Sequence, residues 1–265
     1  MRIAVLGTGS VGRALAGRLA GLGHDVVVGT RDPAATLART EPDVQGTPPY
    51  AQWQEQHSDV RLVPLPEVGA HAEVLVNATA GAASADALAA AGVGERDGLV
   101  VLDVANPLVF TADGPALSVA NTDSLAETLQ RAFPRVRVVK ALNTMNAEVM
   151  VHPDRVPGDH VVFVAGDDAE AKATVSALLG EFGWVRIGSS TWADWWRRVG
   201  RRASCCSGGR SRRPTGPTTS TSRCSGADQG HRVPRTRCTT SSATATSPAG
   251  LRSGKSKTPR MSCRG

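Results

Sequence analysis

The first 204 residues contain no cysteine; all five (Cys205, Cys206, Cys224, Cys238, Cys263) lie beyond them. That stretch therefore has no disulfide framework and no thiolate metal site, and the five that do occur fit no disulfide or zinc spacing. The six histidines (His24, His57, His71, His152, His160, His231) are scattered, and none pairs with carboxylates at metal-ligand spacing. No metal is expected. The Gly-x-Ser-x-Gly elbow of serine hydrolases is absent. No apolar run approaches the ~20 residues of a membrane helix. Met1-Arg2 leads straight into an apolar strand without a signal peptide, so a cytoplasmic protein with no membrane partner is expected. Aromatic residues stop at Trp196.

Charge is split. Residues 185–265 carry 15 Arg and 2 Lys against Asp194 and Asp228, a net +15. Residues 1–184 hold 13 basic and 22 acidic side chains, a net −9, so the whole-chain value of +6 describes neither part. From Cys205 onward the only large aliphatic side chains are Val233, Leu251 and Met261. So little apolar surface cannot offset the entropy of ordering a backbone, and a largely disordered tail is expected. Residues 1–184 alternate apolar runs with Ala-rich stretches and read as one domain.

What is present begins at once. Residues 2–6 form a short apolar run, followed by Gly7-Thr8-Gly9-Ser10-Val11-Gly12 and by Leu15, Leu19 and Leu22 at helical spacing. Val26-Val27-Val28 then leads into Gly29-Thr30-Arg31. A glycine triplet between strand and helix is the dinucleotide fingerprint. Gly7 allows the tight turn, Gly9 lets backbone approach a pyrophosphate, and Gly12 lets helix and strand pack closely. The helix N-terminus presents free N–H groups to the phosphates. An NAD site usually ends the second strand with a carboxylate on the ribose 2′-OH. Here Thr30 and Arg31 stand there, and an Arg fork suits a 2′-phosphate. NADP(H) is expected; the competing reading makes Arg31 a solvated loop cation and turns Asp32 toward the ribose.

Further strands are expected near 60–63, 73–79, 98–104, 136–141 and 160–166. Helices are expected over 33–39 (Pro33 in the first turn), 84–91, 124–133 (Ser124 and Glu127 as a capping box) and 168–182. Residues 41–58 read as an inserted loop or short helix anchored by Tyr50 and Trp53. Apolar strands alternating with helices specify an α/β fold of Rossmann type: a doubly wound, mostly parallel sheet with helices on both faces. Ligands in such sheets bind at the carboxyl ends of the strands. That places Ala78-Thr79, Asn106-Pro107 and Asn143 to Asn146 around one crevice. The asparagines could equally serve turns. Lys140, near a strand end, reads either as a general acid for carbonyl reduction or as a structural or phosphate-facing cation. No clear catalytic acid or base stands out. Hydride exchange between two redox cofactors needs orientation more than proton transfer.

Gly7 to Gly12, Gly29-Thr30-Arg31, Val76-Asn77-Ala78-Thr79, Asp103 to Pro107, Asn121 to Ser124 and Lys140 to Met145 together resemble the actinobacterial NADPH-dependent coenzyme F420 reductases. The resemblance runs nearly continuously over 1–184. It implies hydride transfer between the nicotinamide and the 8-hydroxy-5-deazaflavin ring, with no catalytic acid or base. It also implies that Thr8 to Gly12 hold the pyrophosphate and Thr30 and Arg31 the 2′-phosphate. Ala78 and Thr79 would border the cofactor, and Asn106, Pro107, Asn143 and Met145 the deazaflavin. The implied partners are small-molecule cofactors; a family-type homodimer is implied too, an expectation that the tail weakens. Two other readings stay open: an NADP-dependent dehydrogenase or imine reductase using Lys140, and a noncatalytic NADP(H)-binding sensor.

The tail departs from the family, whose members would continue with a strand, helices and a closing Phe-Asn-x-Lys-Val. Read two bases along, the codons of 215–226 permit Gly-Thr-Asp-Asp-Phe-Asn-Ile-Lys-Val-Leu-Arg, and the step from Ala227 to Asp228 permits a stop. A reading-frame slip just after Trp184 is therefore expected. The rival is a basic arm for nucleic acid, which would lack aromatic interleaving.

Overall fold

The computed structural model describes residues 1–194 except 44–45, 113 and 121. Its elements, in chain order, are β1 (Arg2–Leu6), α1 (Ser10–Gly21), β2 (Asp25–Thr30), α2 (Pro33–Ala38), α3 (Tyr50–Glu55), β3 (Arg61–Pro64), α4 (Leu65–His71) and β4 (Val74–Asn77). Next come α5 (Ser84–Ala90), β5 (Val100–Asp103), β6 (Leu108–Thr111), β7 (Gly114–Leu117), α6 (Leu125–Ala132) and β8 (Arg137–Lys140). The described part closes with α7 (Ala147–Val151), β9 (Val162–Ala165), α8 (Ala169–Phe182) and β10 (Ile187–Ser190).

Eight strands form one sheet in the order β10-β9-β8-β5-β4-β1-β2-β3. Every neighbouring pair is parallel except β8 and β9, which meet antiparallel at Lys140 and Ala165. The central strands are apolar throughout because both faces are covered. Ile3, Val5, Val28, Val76, Leu102 and Val139 pack with α1 and α8 on one face. Ala4, Leu6, Val27, Leu75, Val101 and Val138 pack with α4, α5 and α6 on the other. Chain order reverses between β1 and β4, so the crevice opens at the carboxyl ends of these strands.

Local signals hold where they were strongest. Pro33 starts α2, and Asp32 caps it by accepting from Ala35 N at 2.9 Å. Ser124 Oγ accepts from Glu127 N at 3.2 Å and caps α6. His24 follows α1, which ends at Gly21; its N–H donates to Leu19 O in the last turn, and its ring joins the chain N-terminus to Glu181. Residues 41–58 contain α3, with Tyr50 buried. Four elements lacked a readable signal: α4, α7, the β6–β7 hairpin and β10. Each spans only four to seven residues, too few for a period to declare itself. β10 extends the sheet past Trp184, and residues 195–265, which hold most of the expected tail, lie outside the described residues. Among the described residues no helix is long and apolar enough to cross a membrane, and no cluster of His, Cys, Asp or Glu could hold a metal.

Candidate functional site

The glycine turn joins β1 to α1 directly. Gly7 has φ +118°, and a Cβ there would lie 2.5 Å from Ala78 O. A Cβ on Gly12 would lie 2.0 Å from Gly7 O. Both glycines are therefore fixed by the protein's own packing. Gly9 differs, because a Cβ there meets nothing within 4 Å. Its open side faces solvent at the N-terminus of α1, where Ser10 is exposed and Val11 half-buried. Space left beside Gly9 at a helix N-terminus fits a pyrophosphate.

At the end of β2, Thr30 Oγ1 bonds Thr36 Oγ1 at 2.9 Å. Arg31 is exposed, and no described residue bonds or ion-pairs with it. The Asp32 carboxylate is occupied in capping α2, so it does not stand where an NAD site keeps its acceptor. A pocket of about 150 Å³ beside this corner is lined by Thr8, Gly9, Arg13, Thr36, Arg39 and Tyr50, among others. Thr30 and Arg31 do not line it. Arg13 and Arg39 are residues the sequence reading passed over. Arg13 Nε donates to Thr8 O at 2.7 Å and Nη1 to Pro48 O at 2.6 Å, and its guanidinium lies 5.3 Å from the centre of the Tyr50 ring. Burial pulls its pKa down. Burial likewise pushes the Tyr50 phenol up, and the Tyr50 hydroxyl finds no partner among the described residues. Glu41 and Asp43 line the same pocket, so arginine donors and carboxylates face it together.

The crevice beyond the glycine turn is built differently. Ala78 N donates to Leu6 O at 2.9 Å, which seats the Ala78-Thr79 turn beside the glycine loop. Asn106 and Asn143 come together as a reciprocal amide pair. Asn106 Nδ2 donates to the backbone carbonyl of Asn143 at 2.8 Å, and the Asn143 side chain returns a bond from Nδ2 to Asn106 Oδ1 at 3.1 Å. Leu142, just before, has φ +64°, alone in that region among the described non-glycine residues. Such backbone costs about 1–3 kcal/mol and persists where surrounding structure imposes it. Pro107 O accepts from Ser118 at the foot of the β6–β7 hairpin. Met145 is half-buried, with part of its side chain against the core cluster of α1 and α8.

Beneath these loops runs a polar row. Leu6, Asn77, Asp103, Lys140 and Ala165 are in register across neighbouring strands. Asn77 and Asp103 are fully buried. Lys140 Nζ lies 2.9 Å from Asp103 Oδ2 and also donates to Ala105 O. Lys140 is thus held by the protein. The signal for the row was present in the strand sequences, which end Val-Asn, Leu-Asp and Val-Lys, but nothing along the chain says that these ends are neighbours.

A parallel Rossmann sheet with this glycine turn and with Thr30 and an exposed Arg31, not a carboxylate, ending β2 defines an NADP-dependent oxidoreductase. Residues 2–107 match the family model described as NADP oxidoreductase, coenzyme F420-dependent. A crystal structure from Arthrobacter sp. FB24, provisionally named an F420-dependent NADP-reductase, is 48% identical, covers 78% of this chain and 94% of its own, and superposes with a TM-score of 0.68. The chain belongs to this coenzyme F420-dependent NADP oxidoreductase family. Rattus norvegicus metalloreductase STEAP3 is 32% identical over 186 residues, 70% of this chain; the match spans only 33% of that protein's length. A hypothetical protein from Sinorhizobium meliloti, SMa0349, at 22% identity and TM-score 0.55 over 72% of this chain and 85% of its own, shares the fold.

Proposed function

We propose that this chain transfers a hydride between NADP(H) and the deazaflavin coenzyme F420. The observation that carries the reading is that, among the described residues at these strand ends, Asn106 and Asn143 bond each other and Lys140 is engaged by Asp103 and Ala105, which leaves no uncommitted acid or base in this group. Identity of 48% across 94% of the Arthrobacter protein supports it. Reduction of a carbonyl requires a proton donor at the developing alkoxide. Exchange between two stacked rings requires alignment alone, with the proton for the reduced deazaflavin taken from solvent. The nicotinamide supplies the hydride, so that NADPH, F420 and one proton give NADP⁺ and reduced F420.

Each candidate then has one task. Gly7 to Gly12, with Ser10 N–H and Val11 N–H at the helix start, hold the pyrophosphate. Thr30 and Arg31 hold the 2′-phosphate, with Arg13 and Arg39 adding charge from the pocket beside them. Ala78 and Thr79 border the nicotinamide. Asn106, Pro107, Asn143 and Met145 form the wall for the deazaflavin. The partners are these small molecules, with no nucleic acid or membrane, in a cytoplasmic setting. We also assign the divergent tail to a frame slip, which would impair activity and any homodimer.

The test is spectrophotometric: NADPH oxidation with F420, beside a panel of small ketones, aldehydes and imines. F420-dependent oxidation supports the reading. Oxidation by a carbonyl or imine alone replaces it with a dehydrogenase or imine reductase. Tight NADPH binding without oxidation by any acceptor, in the frame-repaired protein as well, leaves a noncatalytic sensor.

A further inference from the structure

We infer that Lys140 and Asp103 are the positioning residues of the nicotinamide end, one buried ion pair clamping both loops that flank the crevice. The inference rests on the NADP(H) reading above and deepens it.

The geometry is a chain of bonds with the ion pair at its centre. Asp103 uses Oδ2 for Lys140 Nζ at 2.9 Å. Its Oδ1 accepts from Asn77 Nδ2 at 2.9 Å and from Ala105 N at 3.2 Å. Lys140 Nζ also donates to Ala105 O, so Ala105 is gripped by both of its backbone polar groups. Ala105 immediately precedes Asn106 and Pro107. On the other side, Asn77 Nδ2 reaches Ser84 Oγ at 3.0 Å, and Asn77 Oδ1 accepts from Thr79 Oγ1 at 2.7 Å. Thr79 and Ser84 hydroxyls lie 3.0 Å apart. Gly81 closes the gap: a Cβ there would stand 2.5 Å from Asn106 O. The Thr79 turn and the Asn106-Pro107 turn are therefore packed against each other and tied to the same carboxylate.

The fold does not need charges here for its stability. A buried ion pair typically adds little over apolar side chains of the same volume, because desolvating both charges consumes the attraction. The strand positions just below are Val and Leu, and the sheet would continue apolar without penalty. What charges add is direction. A carboxylate accepting from one backbone N–H, one side-chain amide and one ammonium fixes its neighbours within hydrogen-bond tolerance. The row ends at the carboxyl edge of the sheet, where the crevice lies. In hydride transfer a displacement of roughly 1 Å costs about 10²-fold in rate.

The experiment compares the double variant Asp103→Asn/Lys140→Met with the unaltered chain. The asparagine keeps an acceptor for Asn77 and Ala105, and no charge is left unpaired, so this variant avoids the buried lone carboxylate that Lys140→Met alone would leave. Three quantities are read: Kd for NADPH, Kd for 2′,5′-ADP, which lacks the nicotinamide, and kcat with F420. The expected result is an unchanged Kd for 2′,5′-ADP, a loss of roughly tenfold in the advantage of NADPH over 2′,5′-ADP, and a kcat lower by about 10- to 100-fold. Lys140→Arg, which keeps the charge, should recover part of both. Equal weakening of 2′,5′-ADP and NADPH, or a NADPH advantage unchanged within twofold, overturns the inference. If the unaltered protein passes no hydride to F420, that reading fails by itself, and the ratio of the two dissociation constants still decides between positioning and mere packing.

Discussion

Strands β5 and β8 share an ion pair at their carboxyl ends, and the loops that lead into them share another. At the amino ends Arg135 grips Asp97 with Nε at 2.5 Å and Nη2 at 2.8 Å. Both side chains are exposed, at 48% and 74%. At the carboxyl ends Lys140 meets Asp103 at 2.9 Å, with side chains 17% and 0% exposed. Solvent screens the first pair and makes it nearly dispensable. The second has no solvent to fall back on, so removing one partner strands the other. Arg31 sharpens the contrast, being exposed like Asp97 yet without a partner in the described protein. Exposure alone therefore does not separate surface charge from site; what matters is whether the protein has already supplied the partner.

The largest effect should follow from Lys140→Met alone, which leaves the Asp103 carboxylate buried and unpaired. A loss of about 3–5 kcal/mol is expected, read by chemical denaturation. A cost no larger than that of Asp97→Asn would erase the distinction between the two ends. Gly12→Ala comes next, since its Cβ would stand 2.0 Å from Gly7 O. Backbone must move, and about 3 kcal/mol with loss of NADPH binding is expected. Gly9→Ala should leave the melting temperature unchanged while lowering NADPH affinity, because its Cβ occupies space that only a ligand would use. Arg31→Ala should weaken NADPH by about 1.5–3 kcal/mol, roughly 10- to 100-fold, with NADH and stability untouched. A variant that still preferred NADP(H) would shift that duty to Arg13 and Arg39.

The smallest effect belongs to Asp97→Asn. The hydrogen bond from Arg135 holds the Asp97 carboxyl below its ordinary value of 3.8. A depressed folded-state pKa contributes stability above that value and loses it as pH falls through the folded pKa. The pair is exposed to solvent, so melting temperatures at pH 7 should nearly coincide. Any residual difference should begin to shrink below about pH 4 and be gone once the pH is under the folded-state pKa. NADPH affinity and kcat should not change.

The frame assignment is checked separately by sequencing the gene around codon 184. An uninterrupted frame in two independent reads would make the basic tail genuine.

Legibility followed length and period. β1, α1 and β2 were readable because four consecutive apolar residues after Arg2, a glycine triplet and a helical leucine spacing leave few alternatives. α8 was readable from Val175, Leu178, Leu179 and Phe182, which the structure buries together. The β6–β7 hairpin was not, because Leu108, Phe110 and Leu117 are exposed and show no alternation between buried and solvated faces. Asn106 and Asn143 were nominated to one crevice by strand-end logic, and the amide pair between them is what that logic could not supply.

The sequence by itself determined the glycine turn, the absence of an acceptor carboxylate after Thr30 and the α/β alternation, because each is a local property of consecutive residues. Only the tertiary structure decided that Asn77, Asp103 and Lys140 form one row. They come from three strands separated by helices, and parallel registration of the sheet brings their side chains to the same face. It also decided that Lys140 is committed to Asp103. A lysine's duty depends on which carboxylate the fold has placed within hydrogen-bond reach, and chain order does not record that.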